Sequence, residues 1–142
     1  MLKPSRRLAI ALAATVLALC VASLSIAQAA GAPALAAVSN DTGGVRVVIK
    51  PKAIAAGSAW EFEVVMDSHT KPLDDDLTKT AVIVDDAGRH YIPLAWQGDP
   101  PGGHHRKGVL RFPAPTEQIK SFEIQIQGLG GEGKRAFQWT IK

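Results

Sequence analysis

Apolar side chains fall at every second position in short runs along most of this chain, and that period is what confines its fold. In residues 60–66, Trp60, Phe62, Val64 and Met66 alternate with Glu61 and Glu63. A period of two sends alternate side chains to opposite faces of an extended strand, one face for a core and the other for water. Six further short runs, at 45–49, 80–84, 90–96, 109–112, 122–127 and 136–141, are alternating or rich in β-branched and aromatic residues. Gly, Pro and Asp separate them, as turns require. About seven short strands with no amphipathic helix predict an all-β fold, an antiparallel β-sandwich of immunoglobulin-like or fibronectin-like type. The expected core is Trp60, Phe62, Val64, Phe122, Ile124, Ile126, Phe137 and Trp139. Met66 is in phase with this set and is read as packing there, in preference to acting as a thioether ligand. Residues 85–88, Asp-Asp-Ala-Gly, read as a hairpin turn. Pro93 has no N–H to give to a ladder, which predicts an edge or bulged position for the fourth strand.

The first thirty residues follow a different pattern. Lys3, Arg6 and Arg7 precede an apolar run at 8–26, and Ala27-Gln28-Ala29 then supplies small residues at the spacing signal peptidase reads. Residues 1–29 are expected to be a secretory signal peptide, 30–43 a flexible leader and 44–142 the sandwich domain. An uncleaved anchor is the competing reading, because the run approaches the length of a membrane span. The expected location is periplasmic or secreted, with no stable membrane insertion after cleavage. The whole chain carries 16 basic and 13 acidic residues, a formal charge of +3. Beyond Ala29 the balance is 13 to 13. A near-neutral domain lacks the electrostatic footprint of a nucleic-acid partner. The single cysteine, Cys20, falls in the signal, so the exported domain has no disulfide, thiolate metal site or cysteine nucleophile.

The chemistry is concentrated in the connections. Asp99-Pro100-Pro101-Gly102-Gly103-His104-His105-Arg106 joins the fourth and fifth strands, and Ser68-His69-Thr70 opens the loop after the second. If successive strands run antiparallel, the second, fourth and sixth connections gather at one pole. His69, His104 and His105 are thereby candidate nitrogen ligands for a transition metal, copper or zinc, and Asp67, Asp74 or Asp76 can add oxygen. Adjacent histidines on extended chain point in opposite directions, so one of His104 and His105 is expected to ligate. The competing reading is that the imidazoles hydrogen-bond within the loops and hold their shape. His90 follows the 85–88 turn at the opposite pole and is set apart from the site. The acidic run 74–76 lacks the alternating ligands of a calcium loop and is read as a solvated segment that caps a short turn. Trp96 adjoins the histidine loop; it is read as core, with a pocket floor as the minor alternative.

No nucleophile elbow or phosphate loop is present and nothing in the sequence fixes the separation of any two carboxylates, so the chain is not expected to be an enzyme. Two function classes lead, ahead of a hydrolase, which would need a deep pocket beside the histidines. One is an exported non-enzymatic binding module with a histidine-based metal site. The other is a metal-free structural or protein-interaction domain.

The segment Trp60-Glu61-Phe62-Glu63-Val64 leading to Asp67-Ser68-His69-Thr70, with Leu73 and Asp76-Leu77, is similar to the first half of a small family of exported prokaryotic proteins. Leu94-x-Trp96-x-Gly98, then Gly102-Gly103-His104-His105-Arg106-x-Gly108-Val109-Leu110-x-Phe112, resembles the second half. The resemblance spans Val45 to Ile141. It implies a compact exported domain and carries no assigned reaction. Ser68-His69-Thr70 stands where the family pattern has Thr-His-Ser, which leaves the histidine in place.

Overall fold

The structure is a computed structural model describing residues 34–141. The signal-peptide reading of residues 1–29 lies outside the described residues. In chain order the elements are β1 (Val38–Thr42), β2 (Val45–Ala53), β3 (Trp60–Ser68), a one-turn helix α1 (Leu77–Thr80), β4 (Ala81–Asp85), β5 (His90–Tyr91), β6 (Ala95–Gly98), β7 (His105–Phe112), β8 (Ser121–Gln127) and β9 (Lys134–Thr140). They form two antiparallel sheets, ordered β1-β2-β3-β7-β6 and β5-β4-β8-β9. With β1 set aside, these are the A-B-E-D and C′-C-F-G orders of an immunoglobulin-type sandwich. Among the described residues no helix is long and apolar enough to cross a membrane.

The alternation places the core as expected. All eight expected core residues are buried, and Met66 is buried with them. The outward residues of β3 and its neighbours sort by charge instead. Glu61 pairs with Arg111 at 3.2 Å and Glu63 with Lys107 at 3.6 Å.

Two elements differ from expectation. Residues 30–43 were expected to be a leader, yet Val38–Thr42 is a full strand in register with β2, with Val38 opposite Ile49. The cause lies at the far end of the chain. The buried Arg135 of β9 donates from Nη1 to Asn40 Oδ1 at 3.0 Å and Val45 O at 2.7 Å, and from Nη2 to Thr42 O at 2.8 Å. Trp139 Nε1 donates to Ala36 O at 2.7 Å. These long-range bonds hold a segment whose local composition reads as linker.

The run 90–96 is not one strand. It divides into β5, an edge of the four-stranded sheet, and β6, an edge of the five-stranded sheet. Pro93 sits in the crossing between them. It occupies edge territory, as a residue without an N–H must. Ile92 and Leu94 on either side of it are exposed.

The hairpin at 85–88 forms, with Val84 opposite His90. Its anchor is Asp85, whose side chain is buried. Oδ1 accepts from the backbone N–H of Ala87 and of Arg89, both at 2.9 Å; Oδ2 accepts from Arg89 Nε at 2.7 Å and Tyr91 Oη at 2.9 Å. Burial pushes the carboxyl pKa up, but these donors outweigh it and hold it down at about 2. A depressed carboxyl pKa stabilises the fold above the unfolded value of 3.8, and that contribution is lost as pH falls through about 2. Asp85→Ala is expected to cost about 3 kcal/mol near neutral pH, because it removes a buried carboxylate together with its charge-assisted hydrogen bonds. Urea unfolding of both proteins should show the difference shrinking across that acid window.

Candidate functional site

The three connections do gather at one pole. Leu73 N donates to Gly103 O and Gly102 N to Leu73 O, both at 2.9 Å, joining the β3–α1 and β6–β7 loops. Lys71 Nζ donates to Gly130 O at 2.7 Å and Gly130 N to Asp75 Oδ2 at 3.3 Å, joining the β8–β9 loop to the same assembly. Asp76 caps α1, accepting from Thr78 N at 3.0 Å and Thr78 Oγ1 at 2.6 Å. The acidic run is thus a loop-shaping element, as its spacing suggested.

The histidines cluster at the end of the β3–β7 ladder. Asp67 lies opposite His105 in register. One step further, Ser68 N donates to His104 O at 2.7 Å. Ser68 Oγ accepts from Lys71 N at 2.9 Å, which turns the chain at His69. All three histidines are exposed. Of the six candidate ligands, the structure brings two side chains into contact: His105 Nδ1 lies 2.5 Å from Asp67 Oδ1. His69 and His104 make no side-chain hydrogen bond among the described residues. No group of three or more His, Cys, Asp or Glu side chains among the described residues is placed to hold a metal ion.

The residue that organises this pole is Arg106. It is 1% exposed, and its Nη1 donates to Leu73 O at 2.9 Å and Asp75 O at 2.8 Å. Its guanidinium carbon lies 5.3 Å from the centre of the Trp96 ring, a cation–π arrangement. Burial pulls the guanidinium pKa down, and the carboxylates of Asp75, Asp99, Asp76 and Asp74 oppose that shift. Room for the stack comes from two facing glycines, Gly98 and Gly108. A Cβ on Gly108 would sit 2.6 Å from Trp96 Cζ2, and one on Gly98 would sit 2.4 Å from Gly108 Cα. Trp96 Nε1 donates to Asp99 O at 2.8 Å. The Trp-x-Gly and Arg-x-Gly halves of the sequence motif therefore build one structural corner, and Trp96 is covered by Arg106. Sequence reasoning quoted Arg106 without giving it a role. The signal was there in Gly108, since glycine within a strand marks a close approach.

An apolar groove of about 760 Å³, lined by Ile54, Trp60, Pro115, Ile119 and Ile141 among others, lies at the other end of the sandwich. From Trp60 to Asp67 is about 23 Å of strand, so this groove is remote from the histidines. Comparison with family models, with curated proteins and with solved structures finds no match to this chain.

Proposed function

We propose that this chain is an exported, non-enzymatic binding module whose histidine pole takes a divalent transition metal ion, copper or zinc. The observation that carries this reading is the Asp67–His105 contact. A carboxylate on one ring nitrogen is the usual outer partner of a metal-binding imidazole, and it leaves the other nitrogen free. The His105 side chain is 62% exposed, so that nitrogen is open to solvent. His69, at the same ladder end and with no side-chain hydrogen bond among the described residues, is the candidate second ligand, and His104 is the alternative to His105, not its partner. The signal-like N-terminus supports export to the periplasm or beyond, and the motif resemblance supports kinship with small exported proteins.

Titration calorimetry of tag-free protein with Cu(II) and with Zn(II) tests the reading. One site is expected, weakened at least tenfold by His105→Ala and by His69→Ala. His90→Ala, exposed at the opposite pole, should change nothing. Saturating metal at about 100 times Kd should add about 2.7 kcal/mol of stability and raise Tm. Equal binding by wild type and the histidine variants would overturn it.

A second reading, a metal-free interaction module, is favoured by one observation. No three candidate ligand side chains among the described residues stand together. It expects no rise in Tm with either ion.

A further inference from the structure

The geometry points to Asp67 as a positioning residue for His105: its carboxylate holds the imidazole proton on Nδ1 and turns Nε2 outward as the ligand-binding atom. The outward role of Nε2 rests on the metal-binding reading above; the positioning of the ring does not.

Asp67 stands on the outer face of the central strand β3, between Arg46 of β2 and His105 of β7 in register. The other carboxylates of β3 take the outward cations of β7, Glu63 with Lys107 and Glu61 with Arg111. Arg46 forms no ion pair with Asp67 among the described residues. The Asp67 carboxylate goes to His105 Nδ1, at 2.5 Å. An ionised carboxylate only accepts hydrogen bonds, so this contact requires the proton on Nδ1. In a neutral ring the lone pair then lies on Nε2. The Asp67 and His105 side chains are 43% and 62% exposed. A pair so open to water adds little to stability. What the contact fixes is the tautomer and the direction of the ring. Nothing else in the fold needs it, because Arg106 and the backbone bonds already join the loops.

Nitrogen-15 NMR of metal-free protein, in mildly alkaline buffer where imidazole is neutral, reads the tautomer directly. His105 is expected in the Nδ1–H form, while exposed His90 serves as an internal reference in the Nε2–H form that free imidazole favours. Asp67→Ala should return His105 to the His90 pattern. Asp67→Asn, which keeps an acceptor oxygen, should retain part of the Nδ1–H population. Tm should be almost unchanged in both variants, which separates positioning from a structural role. A wild-type His105 that matches His90, or one indifferent to Asp67→Ala, would overturn the proposal. Zn(II) added to the same samples tests the metal reading separately. Asp67→Ala should weaken binding about 10–100-fold. Failure of wild type to bind Zn(II) or Cu(II) would remove the metal reading, while the tautomer result alone decides the role of Asp67.

Discussion

Phe62→Ala is expected to lower the unfolding free energy by about 3–5 kcal/mol, the largest effect of any single truncation proposed for this domain. Phe62 has no solvent exposure and sits where the two sheets meet. Its ring centroid lies 5.7 Å from Phe112 at an interplanar angle of 87°, 5.8 Å from Phe122 and 6.1 Å from Trp139. Phe112 belongs to its own sheet; Phe122 and Trp139 come from the facing one. Truncation opens a cavity between sheets whose strands are pinned by ladders on both sides, so the walls cannot collapse to fill it. Edge-to-face aromatic contacts add about 0.5–1.5 kcal/mol each beyond burial. A small domain has about 5–15 kcal/mol in total, so a large share is at stake. Phe62→Leu keeps most of the volume and should lose no more than about 1.5 kcal/mol. Urea unfolding checks both, with an unchanged m-value indicating that the denatured state is not the source. A loss below about 1 kcal/mol for the alanine variant would mean that the sheets close over the gap.

The same alternation that marks Phe62 made the sandwich legible, because period two is a local property. What escaped reading depends on distant partners. Residues 38–42 look like linker until Arg135, on the last strand, supplies donors to Asn40 and Thr42. Asp85 is the local exception: it reads as one acid of a polar turn, yet four donors from Ala87, Arg89 and Tyr91 close around its side chain. Strand alternation was enough to bring the three loops to one pole. It could not say which histidine meets Asp67, because that is set by the β3–β7 register, and a slip of one residue exchanges the faces. Arg106 was hardest to see, since arginine is a residue of the surface unless its charge is satisfied.

Arg106→Met is expected to cost about 3 kcal/mol and to loosen the histidine pole while leaving the core intact. Methionine has similar length and fills much of the same space, so packing against Trp96 is partly kept. What disappears is the donor that holds the carbonyls of Leu73 and Asp75 at 2.9 and 2.8 Å. Leu73 O keeps its bond from Gly102 N, whereas half-buried Asp75 O loses its donor, and an acceptor left without a partner costs about 1–3 kcal/mol. The four aspartates around the site also lose the positive charge that faces them, so mutual repulsion should push the 74–76 loop outward. Arg106→Lys should not rescue the fold fully, because a single ammonium on a flexible stem cannot bridge two carbonyls and stack on an indole at once. Hydrogen exchange gives the spatial test. The amides of Leu73 and Gly102, which bond across the two loops, should exchange faster in both variants, and those of Val64 and Ile124 in the ladders should follow only the global loss. Should Arg106→Met lose less than about 1 kcal/mol with those loop amides still protected, the pole would owe its shape to the β3–β7 ladder and the Leu73–Gly103 bonds alone.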